Sequence, residues 1–165
     1  MITAWFESLR ERFRTLCERA LPFSLVALVG RLAIAGTFWR SGQTKISGFA
    51  LDPLAGTFQW GWPQLADSAI ALFRDEYRVP LPQLAAPLAA TAEHLFPILL
   101  VLGLGTRVAA LGLLGMTAVI EWVYPDAWPT HGTWAATLLL LVARGAGRVS
   151  LDSLFAPQSS AGRST

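Results

Sequence analysis

Cysteine is nearly missing from this sequence, with Cys17 the single example among 165 residues. A lone thiol closes no intramolecular disulfide and makes no Cys-x-x-Cys pair. Dithiol redox chemistry within the chain and four-cysteine metal sites are therefore excluded. Charge is scarce as well, at 15% of residues against about 25% in a typical soluble domain. Histidine occurs twice, there is no Gly-rich phosphate loop, and no Ser-His-Asp grouping stands out. The formal net charge of +2 gives no reason to invoke nucleic acid.

What fills the space is apolar: 53% of residues are hydrophobic. Such a chain has too little polar surface to face water throughout, so much of it faces hydrocarbon. One domain is the expectation at this length. The fold class is all-α, an integral membrane four-helix bundle with an N-terminal amphipathic helix and an outer-face loop insertion.

Three segments follow along the chain. Residues 1–20 form an amphipathic helix, in which Trp5, Phe6, Leu9, Phe13 and Leu16 recur at three- and four-residue spacing among Arg10, Arg12, Arg14 and Arg19. That pattern suits the cytoplasmic interface of an anionic membrane. Residues 21–154 form the membrane domain, and 155–165 a flexible C-terminal tail. The first apolar run begins near Leu21 and is longer than the core of a signal peptide, which predicts an uncleaved anchor helix.

Four spans are expected, at about 21–41, 84–104, 106–123 and 131–143, the last with a short apolar part. Ile46 to Pro82 is a mixed stretch rich in Gly, Pro and Trp, with one short interfacial helix around Leu65, Ala69, Leu72 and Phe73. Four spans put both termini on one side. Arg107, Arg144, Arg148 and the N-terminal arginines share that side, so the positive-inside rule makes it the cytoplasm of a bacterial inner membrane.

Ionisable side chains within the spans are costly, roughly 2.5–3.5 kcal/mol each at the bilayer centre. Counting at 1.5 Å per residue puts Arg31 and Glu93 both near the midplane, which predicts an intramembrane ion pair. The pair has two readings: a helix-register device or part of a solute path. A second polar set gathers at the outer mouth. Lys45, Glu121 and His131, ringed by Trp122, Trp128 and Trp134, form a candidate ligand-binding pocket. The competing reading is a rim pair among ordinary interface tryptophans. No metal site is assigned, since Glu121, Asp126 and His131 match no strong ligand spacing. Haem is disfavoured because His94 and His131 fall at different depths.

The arginine of the first span, Gly42-Gln43-Thr44-Lys45-Ile46-Ser47-Gly48-Phe49 at its end, the glutamate of the second span and Gly103-Leu104-Gly105-Thr106-Arg107 together resemble the DoxX family of small bacterial membrane proteins. The likeness covers about Arg31 to Leu154, excluding much of the 52–82 insertion. By it, Arg31, Lys45, Glu93 and Arg107 match the family's recurrent polar positions. The Tyr124–His131 segment and the long first loop more loosely resemble a subgroup found beside systems that make metal-binding modified peptides.

The resemblance implies a four-helix inner-membrane protein with a respiratory or redox association, such as a subunit of a thiosulfate:quinone oxidoreductase. The expected function is an accessory membrane subunit holding quinone or a redox partner protein at a periplasm-facing pocket. Catalysis by the chain itself is left open. Two other classes stay open: a small-solute or proton transporter, and a non-catalytic scaffold for soluble enzymes.

Overall fold

The computed structural model of the protein describes residues 2–53 and 55–155. Apart from Phe155, the expected C-terminal tail lies outside them. Helix α1 (Ile2–Ala20) is followed by α2 (Phe23–Gln43), and the insertion then forms four short strands. These are β1 (Ile46–Ser47), β2 (Ala50–Asp52), β3 (Thr57–Gln59) and β4 (Gln64–Leu65). Strand β1 pairs with β4 and β2 with β3, both antiparallel, so one hairpin nests within the other. Helix α3 (Asp67–Ala71) runs on into a π-helical turn, Leu72–Glu76. The remaining helices are α4 (Pro82–Leu102), α5 (Thr106–Val123), α6 (Trp128–Arg144) and α7 (Leu151–Phe155).

Helices α2, α4, α5 and α6 make the bundle. Helix α2 packs chiefly on α4 and α5 on α6, while α4–α5 and α2–α6 contacts close the ring. Helices α2, α4 and α5 are long and apolar enough to cross a membrane. Helix α6 starts three residues earlier than its apolar pattern indicated and, at 17 residues, stands at the lower end of the spanning range. The core along the bundle axis is small and aliphatic, with Ala27, Ile34, Phe38, Leu100, Leu113 and Leu138 fully or nearly fully buried. Around it Leu25, Val29, Leu32, Leu95, Val108, Leu111 and Leu139 are exposed. An apolar core inside a second apolar coat is the inverse of a water-soluble bundle, and it fits a lipid surround.

The nested hairpins were not legible in the sequence, because two- and three-residue strands carry no periodicity. The short helix was. Its Ala69 and the following Phe73 are buried against Ala86 of α4, so the insertion covers the N-terminal half of that helix. Trp39 Nε1 donates to the Leu51 carbonyl at 2.7 Å and fastens β2 to α2.

Helix boundaries follow local chemistry. Pro82 opens α4, where a missing N–H costs nothing. Gly103 and Leu104 close it with a Schellman pair of bonds, Gly103 N to Leu100 O at 3.1 Å and Leu104 N to Leu99 O at 2.9 Å. The start of α5 is capped from a distance: the Asp152 carboxylate accepts from Gly105 N at 2.7 Å and Thr106 N at 3.0 Å.

Partial burial pushes the Asp152 carboxyl up, but the hydrogen bonds from Thr106 and Gly105 and the charge of Arg31 outweigh it, leaving the group below the usual carboxylate range. A depressed acid stabilises the fold above its unfolded value, about 3.9, and that contribution is lost as pH falls through the folded value. Asp152→Ala is expected to cost about 1–2 kcal/mol at neutral pH, the scale of a lost cap. In detergent melts the gap to wild type should close as pH drops below about 4. A gap independent of pH would mean that the charge does not matter.

Helix α1 is the outlier. Every residue from Trp5 to Ala20 is exposed, on its apolar and charged faces alike.

Candidate functional site

Gly42 brings α2 and α4 into close approach. A Cβ there would lie 2.8 Å from the His94 ring and 3.1 Å from Glu93 Cβ. Lys45, one turn further along, therefore reaches Glu93, with Nζ 2.7 Å from Oε2 and both side chains buried. Ser41 sits between them. Its hydroxyl accepts from Lys45 Nζ at 3.1 Å and donates to Glu93 Oε1 at 3.2 Å. The Lys45 ammonium is thus the partner of Oε2 and Ser41 the partner of Oε1, so both carboxylate oxygens face a donor group.

Next to the pair runs a side-chain relay that the sequence did not announce. Leu51 N donates to Gln43 Oε1 at 2.8 Å, and Gln43 Nε2 lies 2.9 Å from His94 Nε2. His94 Nδ1 donates to the Ala90 carbonyl at 2.7 Å. Both ring nitrogens are engaged, so His94 orients α4 against α2 and the insertion. The Gln43 and His94 spacing carried no signal, since its partners meet only across a helix pair.

The expected Arg31–Glu93 pair does not form. Arg31 is buried, but its Nη2 donates to the Val149 carbonyl and it lies near Asp152. Its Nη1 faces Gly103, ten positions past Glu93 on α4, about 15 Å at 1.5 Å per residue. The depth count failed because α4 begins well outside the level where α2 ends, in the half covered by α3. Glu93 thus meets the end of α2, and Arg31 meets the end of α4.

The outer-mouth set is divided as well. His131 is buried, and its Nδ1 lies 2.7 Å from Glu121 Oε2. Trp134 packs on the His131 ring at 4.9 Å and edge-on to Phe38 at 5.7 Å. Lys45 belongs to Glu93 instead, and among the described residues no hydrogen bond or ion pair joins the two groups. Trp122 and Trp128 are exposed, the former at 89%, which puts both outside any enclosed wall. Tyr124 donates to Glu76 Oε1 and ties the end of α5 to the insertion. Burial and that bond raise the Tyr124 hydroxyl above its ordinary value.

Two cavities adjoin α4. A groove of about 540 Å³ between α2 and α4 is walled by Leu32, Gly36, Ile98 and Val101, with the Arg40–Asp52 pair at its rim. The other, about 380 Å³, lies between α4 and α5 and is the one that reaches Lys45, Glu93 and Tyr77. Its apolar wall includes Leu88, Gly115, Met116 and Val119. Leu88 and Val119 are exposed on the bundle's outside, so the cleft opens sideways to the surrounding phase. Tyr77 stacks on Phe73 with centroids 5.0 Å apart. Burial, then the charges of Glu93 and Glu76, raise its hydroxyl above the ordinary value and keep it a donor.

A scan of protein-family models matches DoxX over residues 26–125. The chain belongs to the DoxX family. The matched region holds α2, the insertion, α4 and α5, and so includes Arg31, Lys45, Glu93 and the 380 Å³ cleft; α6, with His131 and Trp134, lies beyond it. Comparison with curated proteins and with solved structures gave no match. The DoxX assignment and the apolar exterior of α2, α4 and α5 make this a multi-pass membrane protein.

Proposed function

We propose that this DoxX protein is an accessory membrane subunit of a redox system, binding a quinone in the cleft between α4 and α5. The observation that carries the reading is the buried Lys45–Glu93 pair, an ammonium and a carboxylate 2.7 Å apart that both line that cleft. A quinol hydroxyl would donate to the Glu93 carboxylate, and the Lys45 ammonium would donate to a quinone carbonyl. The two redox states thus find complementary partners on one pair of side chains. The cleft is of ring size, within the roughly 300–1,000 Å³ of small-molecule sites, and its side opening lets an isoprenoid tail remain in lipid. Electrons would come from a partner protein. Reducing the quinone with two such electrons takes up two protons, and Glu93 is the group at the cleft that relays them to the quinone oxygens.

The transporter alternative rested on Arg31 and Glu93 sharing one level. Their separation along α4 removes the geometry that motivated it. The N-terminus of α2, the α4–α5 turn and the C-terminus of α6 meet at one end of the bundle, where Arg107, Arg144 and Arg148 gather. We assign that end, with both termini, to the cytoplasm by the positive-inside rule, and α1 to the membrane surface beside it. The quinone cleft then opens in the outer half of the bilayer.

Titration of purified protein in nanodiscs with a short-tailed ubiquinone analogue tests the reading. Gly115→Leu is the informative variant, because a Cβ there meets nothing within 4 Å. The backbone tolerates it while the added side chain fills the cleft. Saturable wild-type binding weakened about tenfold or more by this change, roughly 1.4 kcal/mol, is expected. Absence of saturable binding, or equal binding by the variant, would overturn the proposal.

A further inference from the structure

The end of the bundle assigned to the cytoplasm contains a cleft of about 890 Å³. Three arginines from consecutive segments line it: Arg107 in the first turn of α5, Arg144 at the last position of α6, and Arg148 in the loop that follows. Among the described residues none of them forms an ion pair. Arg107 has one long bond, Nη2 to the Ala143 carbonyl at 3.4 Å, and the Arg144 guanidinium lies 4.7 Å from the centre of the Phe23 ring. Of the two acids in the walls, Asp152 is engaged by Gly105 and Thr106 at the head of α5. Glu18 belongs to exposed α1.

The loop carrying Arg148 is held in place. Arg148 N donates to Ser24 Oγ at 2.9 Å, and the neighbouring Val149 carbonyl accepts from buried Arg31. Gly147 lies so close to α2 that a Cβ would come within 2.8 Å of Ser24 Cα. The cations are thus mounted on a fixed frame at the level where the bundle meets the headgroups, with Phe23 and Val108 as apolar walls. Exposed α1 ends at the same cleft and presents Phe13 and Leu16 together with its own arginines.

We infer that this cleft binds the phosphate headgroup of an anionic phospholipid. Guanidinium forks match phosphate oxygens in pairs. Basic pockets at the cytoplasmic ends of transmembrane helices hold such headgroups. The apolar walls and the adjoining amphipathic helix favour a lipid over a soluble phosphate, because acyl chains can continue along the exposed faces of α2 and α5. The site is remote from the quinone cleft and independent of it.

Native mass spectrometry of the full chain, released from micelles doped with cardiolipin, phosphatidylglycerol or phosphatidylcholine, tests this. The anionic lipids should be retained about tenfold over phosphatidylcholine, and each substitution Arg107→Gln, Arg144→Gln or Arg148→Gln should lower retention about fivefold. Arg148→Gln is the decisive single change, since the exposed side chain can be altered without touching the core. Melting curves identify any variant that fails to fold, and Arg148→Glu then repeats the measurement at the same exposed position.

Arg10→Gln/Arg12→Gln on α1 should leave the lipid preference in place. Equal retention by the Arg148 variants, or a preference abolished by the α1 variant alone, overturns the assignment. A third arm adds millimolar inorganic phosphate or glycerol 3-phosphate. Lipid that stays bound supports the inference, and displacement assigns the cleft to soluble phosphates and overturns it.

Discussion

Lys45→Met is expected to destabilise the bundle by about 3–5 kcal/mol, the scale of breaking one side of a buried ion pair. Lys45 and Glu93 are 6% and 2% exposed, and they meet at 2.7 Å. Removing the ammonium leaves a carboxylate at the α2–α4 crossing with Ser41 as its single hydrogen-bond donor. The Gly42 contact prevents the helices from parting to admit water without loss of packing. Glu93→Gln should cost less, because an amide needs no counter-charge, and Lys45→Met/Glu93→Gln should recover most of the loss. Unfolding in mixed micelles measures all four species as a double-mutant cycle. If the double variant loses the sum of the two single effects, the side chains do not act as a pair.

Gly103→Ala carries the second large effect, about 2–6 kcal/mol from a left-handed backbone combined with overpacking. Gly103 has φ +66, and a Cβ there would fall 1.9 Å from Arg31 Nη1 and 2.5 Å from Ser150 Cβ. Arg31 has nowhere to retreat, since it is 1% exposed and committed to Val149. Gly105 is the internal control. Its φ of +57 is equally left-handed, but a Cβ there meets nothing within 4 Å. Gly105→Ala should therefore show the backbone cost alone, about 1–2 kcal/mol. Thermal melts of the two variants that coincided would mean that the Arg31 contact contributes nothing.

The two glycines show how far the sequence could be read. Gly103-Leu104-Gly105 announced a tight turn between two apolar runs, and the turn is there. That one glycine is packed against a buried arginine and the other faces open space depends on Val149–Asp152 folding back from 47 positions later. The burial of Arg31 and Glu93 was similarly foreshadowed: each falls inside an apolar span, and both are buried. The partners were not.

By itself the sequence determined that this chain is a helical membrane protein of the DoxX type and which polar groups are kept from lipid. Hydropathy and helical period are local properties, and a side chain's face follows from its position on its own helix. The tertiary structure alone decided which charges meet. Partner choice depends on the axial offset of α2 against α4, and that offset is set by the close approach at Gly42 and by the insertion packed over the N-terminal half of α4. A shift of ten residues leaves every residue on its face yet moves it about 15 Å along the bundle, enough to give Glu93 to Lys45 and Arg31 to the C-terminal segment.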